Sequence, residues 1–112
     1  MLRYLLGRLR HGSHTLPFPG PAPLPERYRG RPVLDRSRCP AGCRACLADA
    51  PSGLVRAGAD GRPVLDLGAA RFSPEEAAVC PAGALRFGGD PRMATRTRAA
   101  LVTPTGEVEL AA

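Results

Sequence analysis

A hexapeptide that occurs twice limits what this chain can fold into more than any other feature. GRPVLD runs from Gly30 to Asp35 and again from Gly61 to Asp66; downstream, APSGLVR at Ala50 to Arg56 is answered by CPAGALR at Cys80 to Arg86. The first pair of segments is spaced by 31 residues and the second by 30, so one copy holds an extra residue in between. A repeat of this length is a supersecondary unit that cannot bury its apolar face alone and must pack on its twin. Each copy reads as a short strand (PVLD), a loop, a short helix, a turn carrying Pro and Gly, and a second short strand (GLVR, ALRF). Two such units about a pseudo-twofold axis make one compact α+β domain, from about Gly30 to Gly88.

Four cysteines are spread unevenly over the two copies. Cys39, Cys43 and Cys46 form C-x3-C-x2-C in the first, and Cys80 stands alone in the second with Pro81 behind it. Aligning the copies pairs Cys39 with Ala70, Cys43 with Ser73, Cys46 with Glu76 and Ala50 with Cys80, so one copy has a cysteine wherever the other lacks it. The pattern resembles a bacterial ferredoxin, in which each half carries C-x2-C-x2-C-x3-C-P and the fourth cysteine of one half ligates the cluster of the other. Under that crossing rule Cys39, Cys43, Cys46 and Cys80 are the ligands of one [4Fe-4S] cluster, while Ala50, Ala70, Ser73 and Glu76 stand at the ligand positions of a second that is lost. The first gap, Pro40-Ala41-Gly42, is one residue longer than the ferredoxin spacing, and Gly42 can absorb the unusual dihedrals this requires.

The same thiols are open to other readings. A four-cysteine zinc site is the main alternative, although zinc sites usually show two C-x2-C pairs rather than three ligands in one loop and a distant fourth before Pro. Two disulfides are a minority reading, because a chain with no apolar h-region and no span of roughly 20 apolar residues reads as cytoplasmic, where thiols stay reduced. Ser73 and Glu76 could ligate a second metal only with Ala at the other two positions. His11 and His14 lie in a linker and read as solvated. Glu75 and Glu76, after Pro74, suit the first turn of a helix; Asp35 and Asp66 read as turn or cap residues. No nucleophile-base arrangement, phosphate loop or pair of carboxylates suggests independent catalysis.

The repeat domain is flanked by two further segments. Residues 1–29 combine a basic amphipathic helix, with Leu2, Leu5, Leu6 and Leu9 at helical spacing and Arg3, Arg8 and Arg10 between them, and a strap with Pro at 17, 19, 21, 23 and 25. The helix can lie on a membrane surface, in a groove of a partner, or back on its own domain. Residues 89–112 form a C-terminal tail in which TPTGEVEL suggests a turn and a short strand. The net charge of +6 comes from 16 basic residues that are all Arg, a coding bias more than a nucleic-acid footprint.

The run RGRPVLDRSRCPAGCRAC, preceded by LPERYRG and a Pro-rich lead, resembles the ferredoxin-type subunit of formate hydrogenlyase and related membrane-bound [NiFe]-hydrogenases, itself similar to subunit I of respiratory NADH:quinone oxidoreductase. The resemblance covers roughly Met1 to Phe87. It implies a bacterial ferredoxin-like fold of the dicluster type with an extended N-terminal segment, electron transfer within an oxidoreductase complex, and other subunits of that complex as partners. It also implies a position on the inner face of the cell membrane, with the N-terminal segment along the membrane-associated arm. Carried over by position, the cluster-ligand role falls on Cys39, Cys43, Cys46 and Cys80. The alternative from another class is an assembly or structural subunit whose cluster is redox-silent.

Overall fold

The computed structural model describes residues 1–16, 20, 23–48 and 50–109, and in it a leading helix, α1 (Leu2–His11), precedes the repeat. Each copy of the repeat then folds into the same three pieces. The first contributes β1 (Pro32–Leu34), α2 (Ala45–Ala48) and β2 (Val55–Ala57); the second contributes β3 (Pro63–Asp66), α3 (Pro74–Ala78) and β4 (Leu85–Phe87). The PVL run makes strand in both because β-branched Val and its neighbours suit a pleated, half-buried surface. Pro occupies the first residue of each strand, where its missing N–H costs no ladder bond.

The halves exchange partners. β1 pairs antiparallel with β4, Pro32 opposite Phe87 and Leu34 opposite Leu85, while β2 pairs antiparallel with β3, Val55 opposite Leu65. Two small antiparallel sheets result, each built from both copies or from their junction, in a small mixed α/β domain. The core follows the repeat. Leu34 and Leu65 are equivalent and both buried, as are Leu54 and Ala84, Val55 and Leu85, and Cys46 and Glu76. Seven of these eight side chains are apolar or a thiol; Glu76 is the exception.

The segment after Gly88 is part of this domain. Gly30 N–H donates to Gly88 O at 2.8 Å and Arg31 N–H to Asp90 O at 2.7 Å, which extends the β1–β4 ladder. A fifth strand, β5 (Val102–Thr103), pairs antiparallel with β3 and makes β3 the centre of a three-stranded sheet. Leu34 N–H then donates to Thr105 O at 3.0 Å and Arg36 Nε to Pro104 O at 3.0 Å, so the tail touches both halves. The strand overlaps TPTGEVEL only at Thr103, and Leu110, which ends that stretch, lies outside the described residues.

Asp66 stands at the N-cap position of the short turn Leu67–Ala69, as expected of a turn or cap residue, but its carboxylate is directed chiefly at two arginines. Its side chain is fully buried, accepts from Arg98 Nη2 at 2.8 Å, and lies 2.6 Å from Arg98 Nη1 and 3.2 Å from Arg56 Nε. The cause is the tail, since β5 brings Arg98 over β3. Asp35, the equivalent residue, does cap a turn: its Oδ1 accepts from Ser37 N–H at 3.0 Å and Ser37 Oγ at 2.6 Å.

No residue of α1 is buried, and Leu2, Leu5, Leu6 and Leu9 all face solvent. The helix therefore does not fold its leucines into the domain. It stops at Gly12, in the left-handed region at φ 62°, whose N–H donates to Arg8 O. Of the strap, Pro17, Pro19 and Pro21 lie outside the described residues, and Pro23 and Pro25 lead into a turn closed by Tyr28 N–H to Pro25 O. Among the described residues no helix is long and apolar enough to cross a membrane.

Candidate metal centre

All four cysteines are free thiols, so neither disulfide of the minority reading forms. Cys46 sits in α2, buried in the core, and Cys39 and Cys80 pack against that core half-buried. Cys43, also half-buried, lies between them on the loop. That loop turns through Gly42 at φ 75°, a left-handed conformation that an L side chain pays about 1–2 kcal/mol to adopt, so the extra residue of the first copy is absorbed where a glycine permits it. Cys43 N–H donates to Pro40 O at 3.1 Å across the same turn. Cys80 follows α3, its N–H donating to Ala77 O at 3.3 Å, and Gly83 N–H returns to Cys80 O at 3.2 Å as Pro81 leads the chain away.

The pKa of the buried Cys46 thiol is raised by its surroundings. Burial pushes the Cys46 thiol above its ordinary pKa, and Cys80, Cys39 and Cys43 each push it further in the same direction. Cys46 is buried, so a thiolate formed there has little water to stabilise it. Coordination to a metal would supply that stabilisation, and four thiols are a donor set that [4Fe-4S] clusters and zinc both accept. Among the described residues no group of three or more His, Cys, Asp or Glu side chains is placed to hold a single metal ion.

On the outer side of the loop a cleft of ≈ 90 Å³ opens between the Cys39–Arg44 segment and Asp60–Pro63. Arg44 lies across it. Its Nη2 is 2.5 Å from where a Cβ on Gly61 would stand, and Gly61 itself has φ 75°, so glycine is required there on two counts. Arg38 ion-pairs with Asp35 at 3.6 Å and is largely exposed.

The other set of aligned positions is closed. Ala50 and Ala70 pack against the core, and Glu76, 1% exposed, takes the place that Cys46 has in the first half. Its carboxylate accepts from Arg71 N–H at 2.9 and 3.1 Å on its two oxygens, from Ser73 N–H at 3.3 Å, and from the Ser52 hydroxyl. The peptide between those two donors is strained. Phe72 has φ 58°, the only non-glycine among the described residues with positive φ, and its carbonyl is held by Arg29 Nη1 at 3.4 Å. Successive N–H groups turned to one side by such a residue form a concave anion-binding nest, and the anion in this one is Glu76. Its oxygens are occupied by donors, which leaves the second-metal reading for Ser73 and Glu76 without ligands.

Sequence alignment located Glu76 but not its partners. Ser52 lies two residues after Ala50, on the side from which a crossing ligand would arrive, and a hydroxyl there was the available signal. No pattern announced Arg71, whose contribution is a backbone N–H. No protein-family model matches the chain, and no curated protein matches it as a relative.

Proposed function

We propose that this chain is an electron-transfer subunit of a larger oxidoreductase assembly, carrying one [4Fe-4S] cluster on Cys39, Cys43, Cys46 and Cys80 in a bacterial ferredoxin-like domain. The observation that carries the reading is that Cys39 from the first half and Cys80 from the second pack as free thiols against the core that holds buried Cys46, beside an equivalent set of positions closed by packing and hydrogen bonds. The chain order β-α-β, β-α-β, with the outer strands paired and the inner strands paired, supports the fold assignment. The likeness to the iron-sulfur subunit of formate hydrogenlyase and membrane-bound hydrogenases points to a hydrogenase or complex I-like partner. The chain itself is then a relay and not a catalyst.

When bound, the cluster supplies one-electron redox chemistry. The chain's own residues do the rest. Cys46 and its apolar neighbours Leu34, Leu54 and Leu85 keep water from the inner face, which limits the reorganisation that accompanies a change of charge. Arg38 and Arg44 put positive charge beside the ligand loop, where it favours the reduced, more negative state and an acidic docking surface. The exposed leucines of α1, flanked by Arg3, Arg8 and Arg10, suit a groove of a partner subunit or a membrane surface, which supports an assembly beside the inner face of the cell membrane.

Anaerobic reconstitution followed by iron, acid-labile sulfide and zinc analysis of one sample tests this. The expected result is about four iron and about four sulfide per chain, lost in Cys80→Ala. One zinc without sulfide overturns electron transfer and makes the domain a structural module. About eight iron would mean that the second half is not closed.

A further inference from the structure

Glu76 is a buried carboxylate that no arginine among the described residues ion-pairs, yet it is tied to two separate segments. A charge in that position is tolerated only while hydrogen-bond donors stabilise it. Those donors come from the loop before α3 (Arg71, Ser73) and from the first half of the repeat (Ser52). Ser52 is itself fixed to the start of β2, since its Oγ accepts from Leu54 N–H at 3.3 Å. The carboxylate therefore joins the two halves at one point.

Cys80 is four residues beyond. α3 has only five residues, far too few to hold its shape alone. Val79 continues it in the right-handed region at φ −68°, and Cys80 N–H closes on Ala77 O, so one continuous turn of backbone connects Glu76 to Cys80. Whatever fixes the start of α3 fixes the position of the thiol at its end. We propose that Glu76 is a positioning residue for Cys80: by binding the 71–73 nest and Ser52, its carboxylate sets the second half's one thiol against the three of the first half before any metal arrives. The inference rests on reading the four thiols as one ligand set.

The test uses the full chain, metal-free and reduced, as wild type, Glu76→Ala, Glu76→Gln and Ser52→Ala. Two quantities are read: amide hydrogen exchange along the chain, and affinity for Cd²⁺ followed by thiolate-to-metal absorbance. Glu76→Ala is expected to speed exchange over residues 71–80 by about tenfold or more, leave 55–66 unchanged, and weaken Cd²⁺ binding by about 10–100-fold, as loss of a residue supporting a ligand does. Glu76→Gln, which keeps a carbonyl acceptor without the charge, restores part of both. Ser52→Ala shifts both in the same direction by less, and decides the matter if Glu76→Ala does not fold. Local loosening with unchanged Cd²⁺ affinity overturns the proposal, as does a loss of protection spread evenly over the domain. Failure of the cluster reading shows elsewhere: the wild type would then take up zinc without sulfide on reconstitution, while Cd²⁺ would still report where Cys80 stands.

Discussion

Cys46 and Glu76 occupy the same place in two copies of one fold unit, and the difference between them separates the two halves physically. Around Glu76 the loop is satisfied from within: backbone N–H groups of Arg71 and Ser73 find a carboxylate, and the strained Phe72 is held in place by that bond and by Arg29. At Cys46 the buried thiol is pushed toward its neutral form chiefly by burial and by the Cys80, Cys39 and Cys43 thiols, against a smaller opposing hydrogen bond from its own backbone. On the proposed reading each loop closes around an electron-rich object. One half carries its own; on the proposed reading, the other takes its object from solution.

The strongest way to break this contrast is to remove the metal. Chelation of the reconstituted protein is expected to raise amide exchange over residues 36–48 by about a hundredfold, because that loop then lacks its central contacts, while 70–80 changes by less than about tenfold. Equal loss in both halves would mean that the Glu76 network does not stand by itself.

A second test rebuilds the missing symmetry. Ala50→Cys, Ala70→Cys, Ser73→Cys and Glu76→Cys together are expected to raise reconstituted iron from about four to about eight per chain, whereas the first three with Glu76 retained leave it at about four. If the triple variant also gained a cluster, the carboxylate would not be what closes the second half.

Much of this was legible in the sequence because the repeat is close to exact where the core is. GRPVLD and the CPAGALR pair located both strands of each half, and the equivalences Leu34–Leu65 and Val55–Leu85 follow from them directly. The pairing of Cys46 with Glu76 was legible too, but not its meaning, since an acidic residue after Ser-Pro reads equally well as an exposed first-turn residue. What decides the matter is a backbone event, the positive φ of Phe72, and side-chain patterns carry no signal for it. The tail was the least legible part. Val102–Thr103 is too short to stand out as a strand, and it forms because β3 offers an open edge on the side away from β2.

That edge produces a second contrast between the halves, smaller in effect. Asp35 and Asp66 end the same hexapeptide, and both carboxyls titrate below the ordinary aspartate value: Asp66 chiefly through its hydrogen bond from Arg98, Asp35 chiefly through its hydrogen bond from the Ser37 hydroxyl. A lowered pKa in the folded state contributes stability that is fully present above the unfolded value, near 3.8, and is lost as pH falls through the folded value. Asp66 is fully buried and Asp35 a third exposed, so water can replace Ser37 far more easily than it can replace Arg98. Asp66→Asn is therefore expected to lower the thermal midpoint at neutral pH and to flatten the loss of stability below pH 4. Asp35→Asn should change both by much less. Asp90, which the Arg92 guanidinium draws down to about 2, adds to the acid slope in all three proteins and cancels from the comparison. Equal responses of the two variants would mean that β5 and Arg98 contribute nothing that solvent does not, and the tail would then be an attachment to the domain rather than one of its strands.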